Sequence, residues 1–275
     1  MIMPPESAGS VQKYLLLSPI NSGSSFAQRL LMANGLPFAD EQCQRTLFKH
    51  YHPTLIKRIA RLQKVDLDSI CIVIMVRNPW AWYCSTELNR YEFVFSDCDS
   101  ELVILTTALN YDKTYAEHFR ELRIPETEYE EFFRFKSIFA YWQSYYWAAF
   151  ELGDEFNVVI LPYEELLTHP AECVHELKGL VGHDVNEYLR LPMTPSIDHG
   201  NPVGFLDARR KLFVSALSDF SRRALAVGDR FDPHIMRKLG YETTVETDGS
   251  RPEHMLNITR FDSERRIRIT EISAT

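Results

Sequence analysis

The sequence predicts an α/β protein in which a mostly parallel central sheet is flanked by helices on both faces. Residues 14–17, 70–76 and 158–161 are three uninterrupted apolar runs, as expected of strands that are buried on both faces. A helical pattern follows each run at the spacing of βαβ units. Ligands of such sheets bind at the carboxyl ends of the strands, so polar residues after each run are candidates for a functional site.

The helices are predicted from apolar spacing and from end signals. One helix runs from the loop after the first strand to Asn34-Gly35, and a second begins at Pro53, which suits a first turn. An aromatic-rich helix is expected over residues 136–152. Another should follow Thr168, which we predict as its N-cap, and a last short helix lies within residues 231–241.

Length and composition indicate one globular domain with a polar tail. The chain has 275 residues, of which 45% are hydrophobic, and we expect a domain over residues 1–244 and a tail over residues 245–275. The five cysteines are scattered without a Cys-x-x-Cys pair, which indicates reduced thiols and no metal site. No apolar run approaches the roughly 18 to 20 residues of a membrane span, and the first residues lack a signal pattern, so a cytoplasmic protein is expected.

The first strand opens into its helix through Ser22-Gly23-Ser24-Ser25. A turn of this kind directs backbone N–H groups and hydroxyls at one point, and the helix dipole adds partial positive charge there. The combination predicts an anion site with phosphate as the ligand. Arg77 follows the second strand and Tyr163 follows the third, so three strands direct polar groups to the same edge of the sheet.

This loop and two later motifs together resemble the sulfotransferases that use 3′-phosphoadenosine 5′-phosphosulfate (PAPS). Ser22-Gly23-Ser24-Ser25-Phe26 is similar to the core of the family's 5′-phosphosulfate loop. Arg77-Asn78-Pro79, with Ser85 eight residues after Arg77, resembles its 3′-phosphate motif, and Tyr163-Glu164-Glu165-Leu166 resembles a block whose tyrosine lies near the adenine. The resemblance covers residues 14–182 and implies a P-loop-like sulfotransferase fold with residues 91–135 as a substrate-gating insert.

The resemblance also implies a catalytic group. The family often has a Lys-His segment after its second strand, and the matching segment here is Lys49-His50-Tyr51-His52-Pro53. His50 is the first choice for the base that takes the acceptor's proton, and His52 is the second. The donor would be PAPS, which leaves as adenosine 3′,5′-bisphosphate, and no metal is implied.

Further cofactor contacts are implied, with departures from the family pattern at Asn21 and after Lys211, where the family's Gly is absent. Phe26 stands where the family often has an aromatic ring that stacks on adenine, and Arg209-Arg210-Lys211 resembles a late segment that holds the 3′-phosphate. The family's basic residue before Ser-Gly is Asn21 here, which can donate a hydrogen bond but carries no charge. Lys49 or the late basic triplet would then neutralise the leaving phosphate.

Charge favours a small-molecule acceptor that is neutral or cationic, with a hydroxyl or amine as the group that is modified. Residues 92–131 carry eleven Asp or Glu against three Lys or Arg, although such a patch is more often a solvated face. The net charge of −8 argues against a nucleic-acid partner. No membrane partner is expected, and a homodimer stays open.

Two alternative functions also stay open. A P-loop kinase for a nucleotide or small molecule would share the anion site, but no Walker lysine follows Gly23, and Arg77 stands where a magnesium-holding Asp would be expected. A degenerate nucleotide-binding protein without catalytic activity is suggested by Asn21.

Overall fold

The computed structural model describes Val11 and residues 13–19, 21–38, 50–79, 81–83, 102–103, 134–180, 189–190 and 230–241. The strands in these ranges are β1 Lys13–Leu17, β2 Ile70–Val76, β3 Leu102–Val103, β4 Arg134–Phe135 and β5 Val158–Pro162. The helices are α1 Ser24–Ala33, α2 Pro53–Gln63, α3 Ile138–Gly153, α4 Tyr163–Thr168, α5 Pro170–Leu180 and α6 Pro233–Lys238.

The main sheet is parallel, with β2 between β1 and β5. Leu17 pairs with Ile74, and Val76 pairs with Pro162. Because the strands are parallel and in this register, their carboxyl ends meet at one edge of the sheet. Strands β3 and β4 form a separate antiparallel pair.

Each face of the parallel sheet is covered by its own apolar core. Alternate residues of β1 face opposite ways, so Tyr14 and Leu16 belong to one core and Leu15 and Leu17 to the other. Residues of α1, α4 and α5 pack in the first core, and residues of α2, α3 and α6 pack in the second. The helices therefore flank the sheet on both faces, and the predicted α/β class is confirmed.

Hydrogen-bonding side chains cap two of the helices. The Ser137 hydroxyl accepts from the Ala140 N–H at 3.1 Å and begins the aromatic-rich α3. The Asp232 carboxylate accepts from the N–H groups of His234 and Ile235 and begins α6, with Pro233 in its first turn. Both helices lie where the sequence predicted them.

The prediction that Thr168 is an N-cap is wrong. Thr168 is the last residue of α4, a short helix that begins directly after β5. Its hydroxyl donates back to the Glu164 carbonyl oxygen at 2.9 Å, as a residue inside a helix does, and it is His169 that directly precedes the next helix. His169 separates the two helices, and α5 begins at Pro170.

Two predicted regions lie outside the described residues: the tail over residues 245–275, and the gating insert over residues 91–135 apart from β3 and β4. None of the helices in the described ranges is long and apolar enough to cross a membrane.

Candidate functional site

The loop between β1 and α1 turns sharply through two residues with left-handed backbone. Asn21 has a φ of 63° and Gly23 a φ of 86°. Asparagine is enriched among the residues with a side chain that enter this region, and Lys64 also adopts it after α2, with a φ of 55°. The left-handed conformation at the start of the loop thus suits Asn21.

The start of α1 has the features of an anion site. Gly23 caps the helix without a side-chain hydrogen bond, and the first turn contains no acidic residue. The first N–H groups of a helix lack a carbonyl partner one turn earlier, and helix starts bind anions for this reason. The third of them here, the Phe26 N–H, donates to the Gly23 carbonyl oxygen at 3.1 Å. The Ser22 side chain is fully buried, and its hydroxyl makes no hydrogen bond of normal geometry within the described residues.

Tyr146 lies beside Ser22 and supports the loop from the core. Its hydroxyl donates to the Met75 carbonyl oxygen at 3.0 Å, near the carboxyl end of β2. Burial raises the pKa of Tyr146 well above its usual value, so the phenol stays protonated at neutral pH. The protonated phenol keeps its hydrogen bond to β2, and this bond holds the middle of α3 next to the loop.

Arg77 and Tyr163 bring the ends of β2 and β5 to the same loop. Arg77 Nη1 donates to the Asn21 carbonyl oxygen at 2.9 Å, and the guanidinium carbon lies 5.2 Å from the centroid of the Tyr163 ring. The ring itself lies against Gly23, since a Cβ built on Gly23 would be 2.3 Å from two ring carbons. Because Tyr163 is 3% exposed, its ring packs against the loop from the core side and offers little free surface for a stacked ligand.

A buried polar network stands behind Arg77. The Glu164 carboxylate accepts from the Asn78 backbone N–H at 2.9 Å and from the Tyr241 hydroxyl at 2.9 Å. Asn78 in turn accepts from the Ala81 N–H with its side chain, which begins the helical turn after β2. Burial raises the pKa of Glu164, although these hydrogen bonds and the charge of Arg77 oppose the rise.

His50 is held at the end of β1. Its Nδ1 lies 3.1 Å from the carbonyl oxygen of Ser18 and 3.3 Å from the Ser18 hydroxyl. Because a carbonyl oxygen can only accept, Nδ1 is the donor and carries the proton. In the neutral ring Nε2 is then the nitrogen that can take up a proton, as a general base requires.

His52 is instead a core residue at the start of α2. It is 5% exposed, and its two ring nitrogens lie 2.9 Å from the Thr54 hydroxyl and 3.1 Å from the Ser144 hydroxyl. The ring stacks on Phe135 and meets the edge of Tyr145. Burial lowers the pKa of His52 to about 4, so this ring stays neutral and occupied by its neighbours at physiological pH.

The structure brings together most of the described residues that the sequence assigned to the site. Asn21, Ser22, Gly23, Ser24 and Ser25 form the loop, and Arg77 and Tyr163 contact it. Phe26 is 9% exposed and packs in the core with α1. The remaining assigned residues lie outside the described part of the chain, namely Lys49, Ser85, Arg209, Arg210 and Lys211.

No family model matches the chain, and no curated protein or solved structure matches it. In the described ranges there is also no cluster of three or more His, Cys, Asp or Glu side chains that could hold a metal ion.

Glu164 and Tyr241 are among the members of the site that sequence reasoning did not assign. Glu164 lies within the motif Tyr163-Glu164-Glu165-Leu166, and its signal is an acidic residue two positions after the end of β5, where a free carboxylate would be costly. Tyr241 has no local signal, because it meets Glu164 across 77 residues of chain.

Proposed function

We propose that the protein is a PAPS-dependent sulfotransferase with a P-loop-like fold. It would transfer a sulfuryl group to a hydroxyl or amine of a small, neutral or cationic acceptor. The observation that best supports this proposal is the convergence of Arg77 and Tyr163 on the Asn21–Ser25 loop at the carboxyl edge of a parallel sheet. These are the three motifs that resemble the family, and they are far apart in the sequence.

The residues at this edge fit a nucleotide that carries two anionic groups. The start of α1 and the hydroxyl of Ser25, the exposed serine of the loop, would bind the 5′ group. Arg77 presents a planar guanidinium, which suits phosphate oxygens. Its bond to the Asn21 carbonyl oxygen brings positive charge to the loop, where the residue before Ser-Gly has none.

His50 is the group that we assign to proton transfer. When bound, the nucleotide supplies a sulfuryl group whose bond to the 5′-phosphate breaks as sulfur bonds to the acceptor's oxygen or nitrogen. Nε2 of His50 would take the acceptor's proton, since Ser18 holds the other ring nitrogen in its protonated form. His52 is unsuited to this step because its low pKa and two hydrogen bonds make it a poor proton acceptor.

The acceptor class is supported by charge alone. Residues 92–131 hold eleven acidic and three basic side chains, and such an excess would repel polyanionic saccharides. Transfer assays across cationic, neutral and polyanionic acceptors test this part of the proposal. A preference for polyanionic saccharides would contradict it.

Ligand binding separates the proposal from the kinase alternative. Adenosine 3′,5′-bisphosphate at 100 times its Kd should stabilise the protein by about 2.7 kcal/mol without Mg²⁺. Arg77→Gln should lose most of this stabilisation, whereas Arg61→Gln, on the exposed side of α2, should keep it. Stabilisation by ATP with Mg²⁺ alone would favour the kinase instead.

Radiolabelled sulfuryl transfer from PAPS tests whether the binding site is catalytic. Wild-type protein should transfer label to at least one acceptor, and His50→Ala should abolish most of the transfer while it still binds the bisphosphate. Binding without any transfer across the acceptor classes would favour the non-catalytic nucleotide-binding protein.

A further inference from the structure

The carboxylate of Glu164 joins three separate parts of the chain at the back of the candidate site. It belongs to α4, it accepts from the backbone of Asn78 after β2, and it accepts from the hydroxyl of Tyr241 after α6. Tyr241 is 1% exposed and follows the last described helix. A side chain near the end of the described chain is thus tied to the peptide unit next to Arg77.

We infer that Glu164 and Tyr241 are positioning residues that set Arg77 for an anionic ligand. The inference rests on the proposed function, because it assigns Arg77 to the nucleotide's phosphates. Neither residue is required to touch the ligand. They act through the Arg77–Asn78 peptide, whose N–H group donates to Glu164 while the Arg77 side chain donates to the loop.

The hydrogen bonds of this network oppose movement of the Arg77 guanidinium away from the loop. The Arg77 guanidinium donates to the Asn21 carbonyl oxygen, so a small rotation of the Arg77–Asn78 peptide would move the guanidinium away from the loop. Glu164 opposes that rotation by accepting from the Asn78 N–H, and Asn78 is held again by the bond from the Ala81 N–H to its side chain. Tyr241 holds the carboxylate itself, since its hydroxyl donates to the second oxygen.

The chemistry of the donors requires both carboxylate oxygens to accept. An N–H group and a phenol both donate to Glu164, and an amide in its place would present one NH₂ group that cannot accept. A change at either Glu164 or Tyr241 therefore loosens the same element. Its effect should appear as weaker ligand binding even where the folded structure survives.

The test measures the Kd for adenosine 3′,5′-bisphosphate by titration calorimetry in Tyr241→Phe, which removes only the hydroxyl. We expect affinity to fall about tenfold, as for a lost hydrogen bond to a charged group. Tyr14→Phe is the matched control, because its buried hydroxyl has no hydrogen-bond partner within the described residues. It should leave the Kd unchanged.

A double-variant comparison separates positioning from general structural damage. In an Arg77→Ala background, Tyr241→Phe should change the Kd by less than about twofold, because the group it acts through is gone. Glu164→Gln should weaken binding as Tyr241→Phe does, and the two changes together should cost less than their sum. For the reaction, KM for the donor should rise while kcat changes little.

The outcomes distinguish this inference from the proposed function. Tyr241→Phe with wild-type affinity, or with the same tenfold loss in the Arg77→Ala background, overturns the positioning role. A wild-type protein that binds no bisphosphate overturns both. Bisphosphate binding in which the effects of Tyr241→Phe and Arg77→Ala are coupled, without any sulfuryl transfer, supports the positioning role and counts against the proposed reaction.

Discussion

The ring of Tyr163 lies so close to Gly23 that a single added methyl group would overlap it. The built Cβ is 2.3 Å from two ring carbons and 3.1 Å from a third. Glycine is therefore required twice at this position, for its φ of 86° and for the space that the ring occupies. The contact ties the start of α1 to the end of β5 and fixes the loop between them.

Gly23→Ala should destabilise the protein by about 3 kcal/mol, of which about 1 kcal/mol is backbone strain and the rest overlap with Tyr163. Gly35→Ala is the matched control, since its φ is 74° but, apart from its chain neighbours, no residue in the described ranges has an atom within 4 Å of a Cβ built there. It should cost about 1 kcal/mol. Urea unfolding measures both values.

A second background tests the cause of the Gly23 effect. In Tyr163→Leu, which removes the ring, Gly23→Ala should cost no more than Gly35→Ala does. An unchanged cost in that background would mean that the overlap with Tyr163 is not the source of the destabilisation.

Stability should fall in mild acid because of His52. Its pKa is about 4 in the folded protein and about 6.5 in an unfolded chain. The unfolded chain therefore binds the proton more readily, so the contribution of this group is complete above pH 6.5 and is lost as the pH falls toward 4. At pH 5 the loss should be about 2 kcal/mol relative to pH 7.

Chemical unfolding of His52→Gln at pH 5 and pH 7 isolates this effect. The variant has no titrating ring at this position, so its stability should change less between the two pH values than that of the wild type. His169→Gln is the control, because His169 is exposed and pairs with Glu165 at the surface. An equal pH dependence in wild type and His52→Gln would contradict the prediction.

Substitutions of His50 and His52 should also differ in their effect on the rate of sulfuryl transfer. His50→Ala should lower kcat for sulfuryl transfer by roughly 10²-fold or more, the usual contribution of a general base. His52→Gln should retain most of the rate at neutral pH, provided the folded fraction is matched. The measurement is steady-state transfer at saturating PAPS, and a larger loss in His52→Gln than in His50→Ala would reverse the assignment.

The strands and their order along the chain could be predicted because burial on both faces leaves an unbroken apolar run, as in Ile70–Val76. The loop could be predicted for a related reason, since Ser-Gly-Ser-Ser between a strand and a helix admits few other structures. The polar edge then followed from the parallel strands, which place Arg77 and Tyr163 beside the loop.

The remaining contacts depend on tertiary placement that no local pattern encodes. His50 and His52 are two residues apart, yet their side chains have different surroundings. His50 contacts Ser18, whereas His52 lies in the core as the residue before α2, which begins at Pro53. Thr168 has the side chain of an N-cap, but α4 continues through it. The Tyr241–Glu164 bond joins two helical regions that are 77 residues apart in the chain, and neither residue belongs to a periodic stripe that would predict it.

Asn78 should matter for both stability and ligand binding, and a second cap separates the two effects. Its side chain accepts from the Ala81 N–H at 3.1 Å, and the Ser137 hydroxyl accepts from the Ala140 N–H at the same distance. Asn78→Ala and Ser137→Ala should each cost about 1 kcal/mol of stability, the usual value for a lost cap.

Only Asn78→Ala should also weaken the bisphosphate complex, because Asn78 adjoins Arg77 and Ser137 begins a helix elsewhere in the core. Thermal unfolding gives the two stabilities, and calorimetric titration gives the two affinities. If both variants lost stability and neither lost affinity, the turn after β2 would not control Arg77. If both lost affinity equally, the effect on binding would follow global stability and not the position of the guanidinium.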